Sequence, residues 1–162
     1  MEKIRQTIEW VACSYNELHT EEQLLVNRAK AAAEAAYAPY SNFRVGAALR
    51  LTNGVVVIGS NQENAAYPSG LCAERVALFS AAAQYPAEVP VQMAIIALVD
   101  GEVIEVPVSP CGACRQVFTE TVRRYAQPLS LLLCGRDKIL KMSAANLMPL
   151  AFGGVGSHNS SD

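Results

Sequence analysis

The sequence predicts a single α/β domain built on a mixed sheet of five strands, and three observations predict it. Five short β-patterned runs are interleaved with helical stretches, and the connection through residues 72–84 has the form of a strand–helix–strand crossover of a parallel pair. Two other connections, at Asn53-Gly54 and at Gly135-Arg136-Asp137, are short enough to require antiparallel pairing. The third observation is size: 162 residues with 51% hydrophobic side chains fill one sizeable core and leave no room for a second complete domain.

Residues 1–18 fit two templates. Ile4, Ile8, Trp10 and Ala12 roughly alternate with polar residues, whereas Ile4, Ile8, Val11 and Tyr15 fit a helical face; we read an N-terminal extension that adds a strand. Thr20 followed by Gln23 forms a capping box, which predicts a helix opening at Thr20 and carried by alanines to about Tyr37. Pro39 supplies the stop, because it disfavours the helical conformation at Ala38. Val45, Ala47, Leu49 and Leu51 then share one face of a strand from Phe43 to Leu51. Asn53-Gly54 turns the chain into Val55 to Ile58, a helix from about Cys72 to Gln84 follows, and an apolar strand runs from Val91 to Val99. A second helix starts near Cys111. Leu129 to Cys134 and Lys138 to Met142 pair antiparallel, and a short helix near Ser143 to Met148 precedes a polar tail. The main domain is expected to span 19–153, and 154–162 to be disordered.

The formal net charge of -2 argues against a nucleic-acid partner and for a small, weakly charged one. Arg123-Arg124 and Arg136-Asp137-Lys138 read as solvated surface, since opposite charges interleave nearby. The N-terminus lacks a signal-peptide core, and no apolar run reaches the roughly 18 residues of a membrane span, so a cytoplasmic protein without a membrane partner is expected. Five cysteines is an odd count, and in a reducing compartment a C-x-x-C pair points to metal or redox chemistry before disulfides.

That pair is Cys111 and Cys114. Three residues apart, they stand about 60° apart around a helix, so both sulfurs can reach one metal. The helix N-terminus also favours the thiolate, which is the metal-binding form. Cys72 offers a third sulfur at the mouth of the other helix. Three thiolates leave a tetrahedral zinc with one open position, as in a catalytic site. Glu74 would stand about 200° from Cys72 on a regular helix, so its convergence on the metal requires the variable first turn.

Cys72-Ala73-Glu74-Arg75 with Pro110-Cys111-Gly112-Ala113-Cys114-Arg115-Gln116 resembles the cytidine deaminase family, small homotetrameric type. Tyr40-Ser41-Asn42-Phe43, Val45-Gly46-Ala47-Ala48, Asn61-Gln62-Glu63-Asn64-Ala65, Tyr67-Pro68 and Leu147-Met148-Pro149-Leu150-Ala151-Phe152 resemble further family blocks in the same order. The resemblance covers roughly residues 21–153. It implies a three-layer αβα fold around the mixed five-stranded sheet, with one zinc per chain on Cys72, Cys111 and Cys114. It implies hydrolytic deamination of cytidine and 2′-deoxycytidine to their uridine counterparts in pyrimidine salvage, with Glu74 as proton carrier. Arg75 would donate to the zinc thiolates and draw off charge. Asn61 and Glu63 would bind the ribose 3′-hydroxyl, Phe43 would pack on the pyrimidine, and Ala73 would contact the substrate. Tyr67 and Phe152 would be contributed across the interfaces of a homotetramer with shared active sites, Phe152 closing a neighbour's pocket.

Without the resemblance, other readings stand beside these. Three clustered cysteines also fit a structural zinc closed by Cys13, Cys134, His19 or His158. Cys13 and Cys134 lie in apolar segments and read as small buried hydrophobes. Glu74 alone is an ordinary first-turn acid, Phe43, Tyr67 and Phe152 are core aromatics, and Asn61 and Glu63 are loop solvation. A zinc-stabilised binding module would lack a glutamate poised beside the metal. A related aminohydrolase acting on a pyrimidine-containing antibiotic such as blasticidin S is disfavoured by the Asn61-x-Glu63-Asn64-Ala65 block, and a nucleic-acid editor would want a basic channel.

Overall fold

The computed structural model describes residues 1–153, so the tail expected to be disordered, 154–162, lies outside the described residues. Along the chain stand β1 (Val11–Cys13), α1 (Thr20–Glu34), β2 (Arg44–Leu51), β3 (Val56–Ser60), α2 (Ala73–Gln84), β4 (Pro90–Val99), β5 (Glu102–Val103), α3 (Gly112–Tyr125), β6 (Ser130–Cys134) and β7 (Ile139–Ser143). They form one mixed sheet in the order β1-β7-β6-β4-β2-β3, with β5 paired to β4.

The sheet has seven strands: the five expected, the strand read in the N-terminal extension, and one more, and the two beyond the five have local causes. β1 adds to the free edge of β7, with Val11 opposite Lys141; the remainder of the first 18 residues forms a 3-10 turn at Tyr15–Glu17 and no further strand. β5 follows from Asp100-Gly101, whose φ angles of 52° and 81° are the left-handed pair of a tight hairpin. The crossover through α2 also differs. β3 and β4 run in the same direction, but β2 lies between them, antiparallel to both. Because β2 pairs with β3 along one edge and β4 along the other, α2 spans two strand spacings, roughly 10 Å. The adjacent parallel pair is β4–β6, connected through α3.

The start of α1 corrects the capping expectation by one residue. His19 is the N-cap and Thr20 the first helical residue; Glu22 accepts the His19 N–H at 3.3 Å, while Gln23 donates its amide to the Tyr15 carbonyl at 3.2 Å. The helix ends at Glu34, short of Tyr37, whose N–H is taken by the Asn61 carbonyl at 3.1 Å. The expected helix after β7 is a 3-10 turn, Ala144–Leu147.

Strand alternation divides the core. Ala47, Leu49, Met93, Ile95, Leu131 and Leu133 face α2 and α3 together with Ala77, Leu78 and Phe118. Ala48, Ala94, Ile96 and Leu132 face Leu25, Val26, Ala29 and Ala33 of α1. The helices sit close because the strands carry glycine at the contacts. A Cβ at Gly46 would run into the backbone of Ala29 and Ala33, and one at Gly59 into the backbone of Ala73 and Ala77.

One buried polar cluster crosses the α1 face. Lys141 Nζ lies 2.8 and 2.9 Å from the two Glu22 carboxylate oxygens, and Gln92 donates to Glu22 at 3.0 Å. Arg50 extends the chain, donating to Gln92 at 3.0 Å and to Glu21 at 2.7 Å. Burial alone would raise the Glu22 pKa, but Lys141, Gln92 and the His19 N–H outweigh it and hold the carboxyl below its ordinary value. A lowered pKa gives stability that is present above the unfolded value and is lost as pH falls through the folded one. Glu22→Gln is therefore expected to cost about 1–3 kcal/mol near neutral pH, less than a fully buried pair because Lys141 is partly exposed. The gap between variant and parent in urea melts should hold above pH 4.5, the ordinary glutamate value, and narrow only as pH falls below it; a gap independent of pH would show that Glu22 acts only by packing.

Candidate metal centre and substrate cleft

Cys72 and Cys111 are the N-cap residues of α2 and α3, both with extended backbone (φ −73°, ψ 152°; φ −67°, ψ 165°). An N-cap residue stands outside the helical repeat, which removes the angular objection to Glu74: it is the second residue of α2 and follows Cys72 by a bend in the backbone. Cys114 is in the first turn of α3. The Cys72 and Cys111 sulfurs are 3.7 Å apart and those of Cys111 and Cys114 3.5 Å apart. All three lie within 4.8 Å of one another and, among the described residues, form the only such cluster of three potential ligands. Cys134 is buried and Cys13 half-buried, and both pack with the opposite core.

The electrostatics favour an anionic sulfur here. A hydrogen bond from the Cys114 thiol, opposed by burial and aided by Arg75 and Cys111, lowers the Cys72 pKa to about 5. Cys114, as the thiol that donates to Cys72 and is itself buried, is shifted upward. Arg75 reaches Cys72 Sγ with a guanidinium nitrogen at 3.7 Å. Glu74 is 4% exposed. Burial raises its carboxyl pKa, the nearby Cys72 thiolate adds to that, and its own backbone N–H acts against it.

A cleft of about 490 Å³ opens beside Cys72 and Arg75, and Asn61, Glu63, Tyr67 and Ser41 line it. Phe43, Ala73, Glu74 and Phe152 are not on its lining. Phe43 is half-buried. Ala73 is fully buried, whereas Phe152 is 74% exposed and Tyr67 80% exposed. Asn61 is occupied by the scaffold: its side-chain oxygen accepts the Val45 N–H at 2.8 Å and its amide donates to the Phe43 carbonyl at 2.9 Å. Glu63 accepts the Tyr40 N–H at 2.8 Å, the Ser41 N–H at 3.3 Å and the Ser41 hydroxyl. These bonds, that of the Ser41 side chain first, lower its pKa, so it stands as a carboxylate at the cleft wall.

Sequence reasoning assigned no role to Ser41, Arg115 or Gln116. Ser41 also accepts the Phe43 N–H at 3.0 Å, so it links Glu63 to the start of β2. Its signal in the sequence is its place within the Tyr40-Ser41-Asn42-Phe43 block. Arg115 and Gln116 bond to backbone carbonyls of the C-terminal segment, and such acceptors have no sequence signature.

Comparison with known proteins places this geometry. The family described as "Cytidine and deoxycytidylate deaminase zinc-binding region" matches residues 19–126. A cytidine deaminase of Sporosarcina psychrophila is 41% identical over 128 residues, 79% of this chain and 88% of the relative. One from Halalkalibacterium halodurans is 47% identical over 100 residues, 62% of this chain and 71% of the relative. Among solved structures, cytidine deaminase from Burkholderia pseudomallei superposes with a TM-score of 0.67 at 46% identity, covering 80% of this chain and 97% of that one. The Mycobacterium tuberculosis cytidine deaminase gives 0.66 at 32% identity, covering 84% and 100%. With three converging sulfurs, a buried glutamate that interacts with Cys72 and Cys114, and a family match across both helix starts, the chain belongs to the cytidine deaminase family and is a deaminase with a zinc-binding domain.

Proposed function

We propose that the protein hydrolytically deaminates free cytidine and 2′-deoxycytidine as a cytoplasmic enzyme of pyrimidine salvage, with one zinc per chain held by Cys72, Cys111 and Cys114. The observation that carries this reading is the buried Glu74 carboxyl at the start of α2, which interacts with Cys72 and Cys114 of the three-sulfur cluster. The donor set fits zinc: all three ligands are sulfur, one is held as a thiolate, and Arg75 already donates to it. Free thiols in this role call for a reducing compartment. A divalent ion with three thiolates carries one net negative charge, which Arg75 and the two helix N-termini offset. When bound, zinc supplies Lewis acidity and makes water a nucleophile near neutral pH.

The rest of the chemistry belongs to the side chains. Glu74 takes a proton from the attacking water and delivers it to N3 of the pyrimidine as the new C4–O bond forms. It then passes the second water proton to the amino group, the C4–N bond breaks, ammonia leaves and C4 becomes a carbonyl. Glu63 accepts a hydrogen bond from the ribose 3′-hydroxyl, Asn61 supports it, and the carboxylate repels a 3′-phosphate. Phe43 packs on the base, Ala73 contacts it, and no side chain is assigned to a 2′-hydroxyl, so both sugars are accepted. The exposure of Tyr67 and Phe152 supports a homotetramer in which both lie at subunit interfaces and Phe152 closes a neighbour's pocket.

An absorbance assay with cytidine, deoxycytidine, cytosine and CMP side by side tests the reading: the two nucleosides should turn over well and the other two poorly. Preference for CMP would overturn it. Glu63→Gln should raise KM for cytidine about tenfold or more, as expected for loss of a charge-assisted hydrogen bond. 3′-Deoxycytidine should be a poor substrate of the parent and lose little further in the variant. An equal loss on both substrates would confine Glu63 to holding the Tyr40-Ser41 turn.

A further inference from the structure

The chain after β7 is laid along α3, the helix whose start carries Cys111 and Cys114. Arg115 Nε donates to the Pro110 carbonyl at 2.8 Å, and its Nη1 donates to the Leu147 carbonyl at 3.2 Å. One guanidinium thus grips both the residue before Cys111 and the beginning of the C-terminal segment. One turn further, the Thr119 hydroxyl meets Met148 Sδ at 4.0 Å. Gln116 Nε2 donates to the Phe152 carbonyl at 3.0 Å, and a Cβ at Gly153 would run into the Arg123 guanidinium. Residues 115, 119 and 123 recur every four positions and share one helix face. The backbone at Phe152 is therefore bonded to α3 while the residue as a whole stands 74% exposed.

We propose that Gln116, with Arg115, is a positioning residue for the pocket cover: the two side chains fix the Phe152 backbone relative to α3, so that placement of the ring over a neighbouring pocket is set by the residues that follow Cys114. This rests on the reading of Phe152 as a cover and adds what holds it. An irregular segment has no sheet ladder to order it, and side chain to carbonyl bonds take that place. A cover ordered in advance spares the substrate the entropy of ordering it, so the effect belongs in KM.

The test uses the full-length, zinc-loaded enzyme. Gln116→Met should raise KM for cytidine about threefold to tenfold, the range of one neutral hydrogen bond, with kcat and bound zinc little changed. Gln116→Lys retains an N–H donor and should restore KM, whereas Gln116→Glu, which faces the carbonyl with an acceptor, should not. In a Phe152→Ala background, Gln116→Met should add nothing further. A rise in KM for Phe152→Ala without one for Gln116→Met, or additive effects of the two, overturns the positioning role and leaves the cover standing. An unchanged KM in Phe152→Ala removes the cover and this inference with it. If Gln116→Met fails to fold, the Lys and Glu variants decide, and equal behaviour of those two overturns the proposal.

Discussion

Glu74→Gln is expected to stop turnover while leaving the fold and the bound metal in place. The amide copies the shape of the carboxyl, so the packing of a residue that is 4% exposed is kept, and none of the three sulfurs is altered. It cannot accept a proton from water and return it to N3 or to the leaving amine. A single general acid–base group contributes about 10²–10⁴-fold, and Glu74 is assigned to more than one transfer, so the loss should reach at least that range. Initial rates by absorbance, with zinc measured on the same samples, make the comparison. Turnover within about tenfold of the parent, below the contribution of a proton carrier, would remove Glu74 from the mechanism.

The second large effect is expected from a residue with no side chain. Gly59→Ala places a methyl group against the backbone of Ala73 and Ala77, the first turns of the helix that carries Glu74 and is capped by Cys72. Helix α2 must move outward, and a displacement of about 1 Å near reacting groups can cost about 10²-fold in rate. Gly46→Ala is the matched control, since its methyl group meets the backbone of Ala29 and Ala33 in α1. Both variants should lower the melting temperature, but only Gly59→Ala should depress kcat strongly. Equal losses of kcat in the two variants would show that general loosening, and not the seating of α2, is responsible.

The three-sulfur cluster was legible in the sequence because its cysteines sit at helix starts, where spacing and caps fix position locally. Cys72, Cys111 and Cys114 could be brought together by reasoning about two helix mouths, and the three sulfurs do converge. Strand order was less legible: a strand–helix–strand pattern gives direction, but nothing local reveals that β2 lies between β3 and β4. The Glu22 cluster was missed because a first-turn acid reads as a partner for the helix dipole. Its signal was register, since Glu22 precedes Leu25, Val26 and Ala29 by three, four and seven residues and so falls on the apolar face of α1. Asn61 carries a scaffold role that its type and block did not signal. Its type and block pointed to the sugar, and in the structure its amide spans Val45 and Phe43 at the entrance to β2.

The alternation along the strands has a practical consequence for engineering. The sulfurs, Glu74 and the helices that aim them occupy one side of the sheet, while Leu25, Ala29, Ala48, Ala94, Ile96 and Leu132 fill the other. A library that redesigns the α1 layer for heat tolerance, kept away from Tyr37 and its bonds to Asn61 and Glu63, would thus be separated from the sulfurs and Glu74 by a wall of hydrogen-bonded backbone. Residues chosen there can be selected for melting behaviour alone, with activity serving as a check on the result.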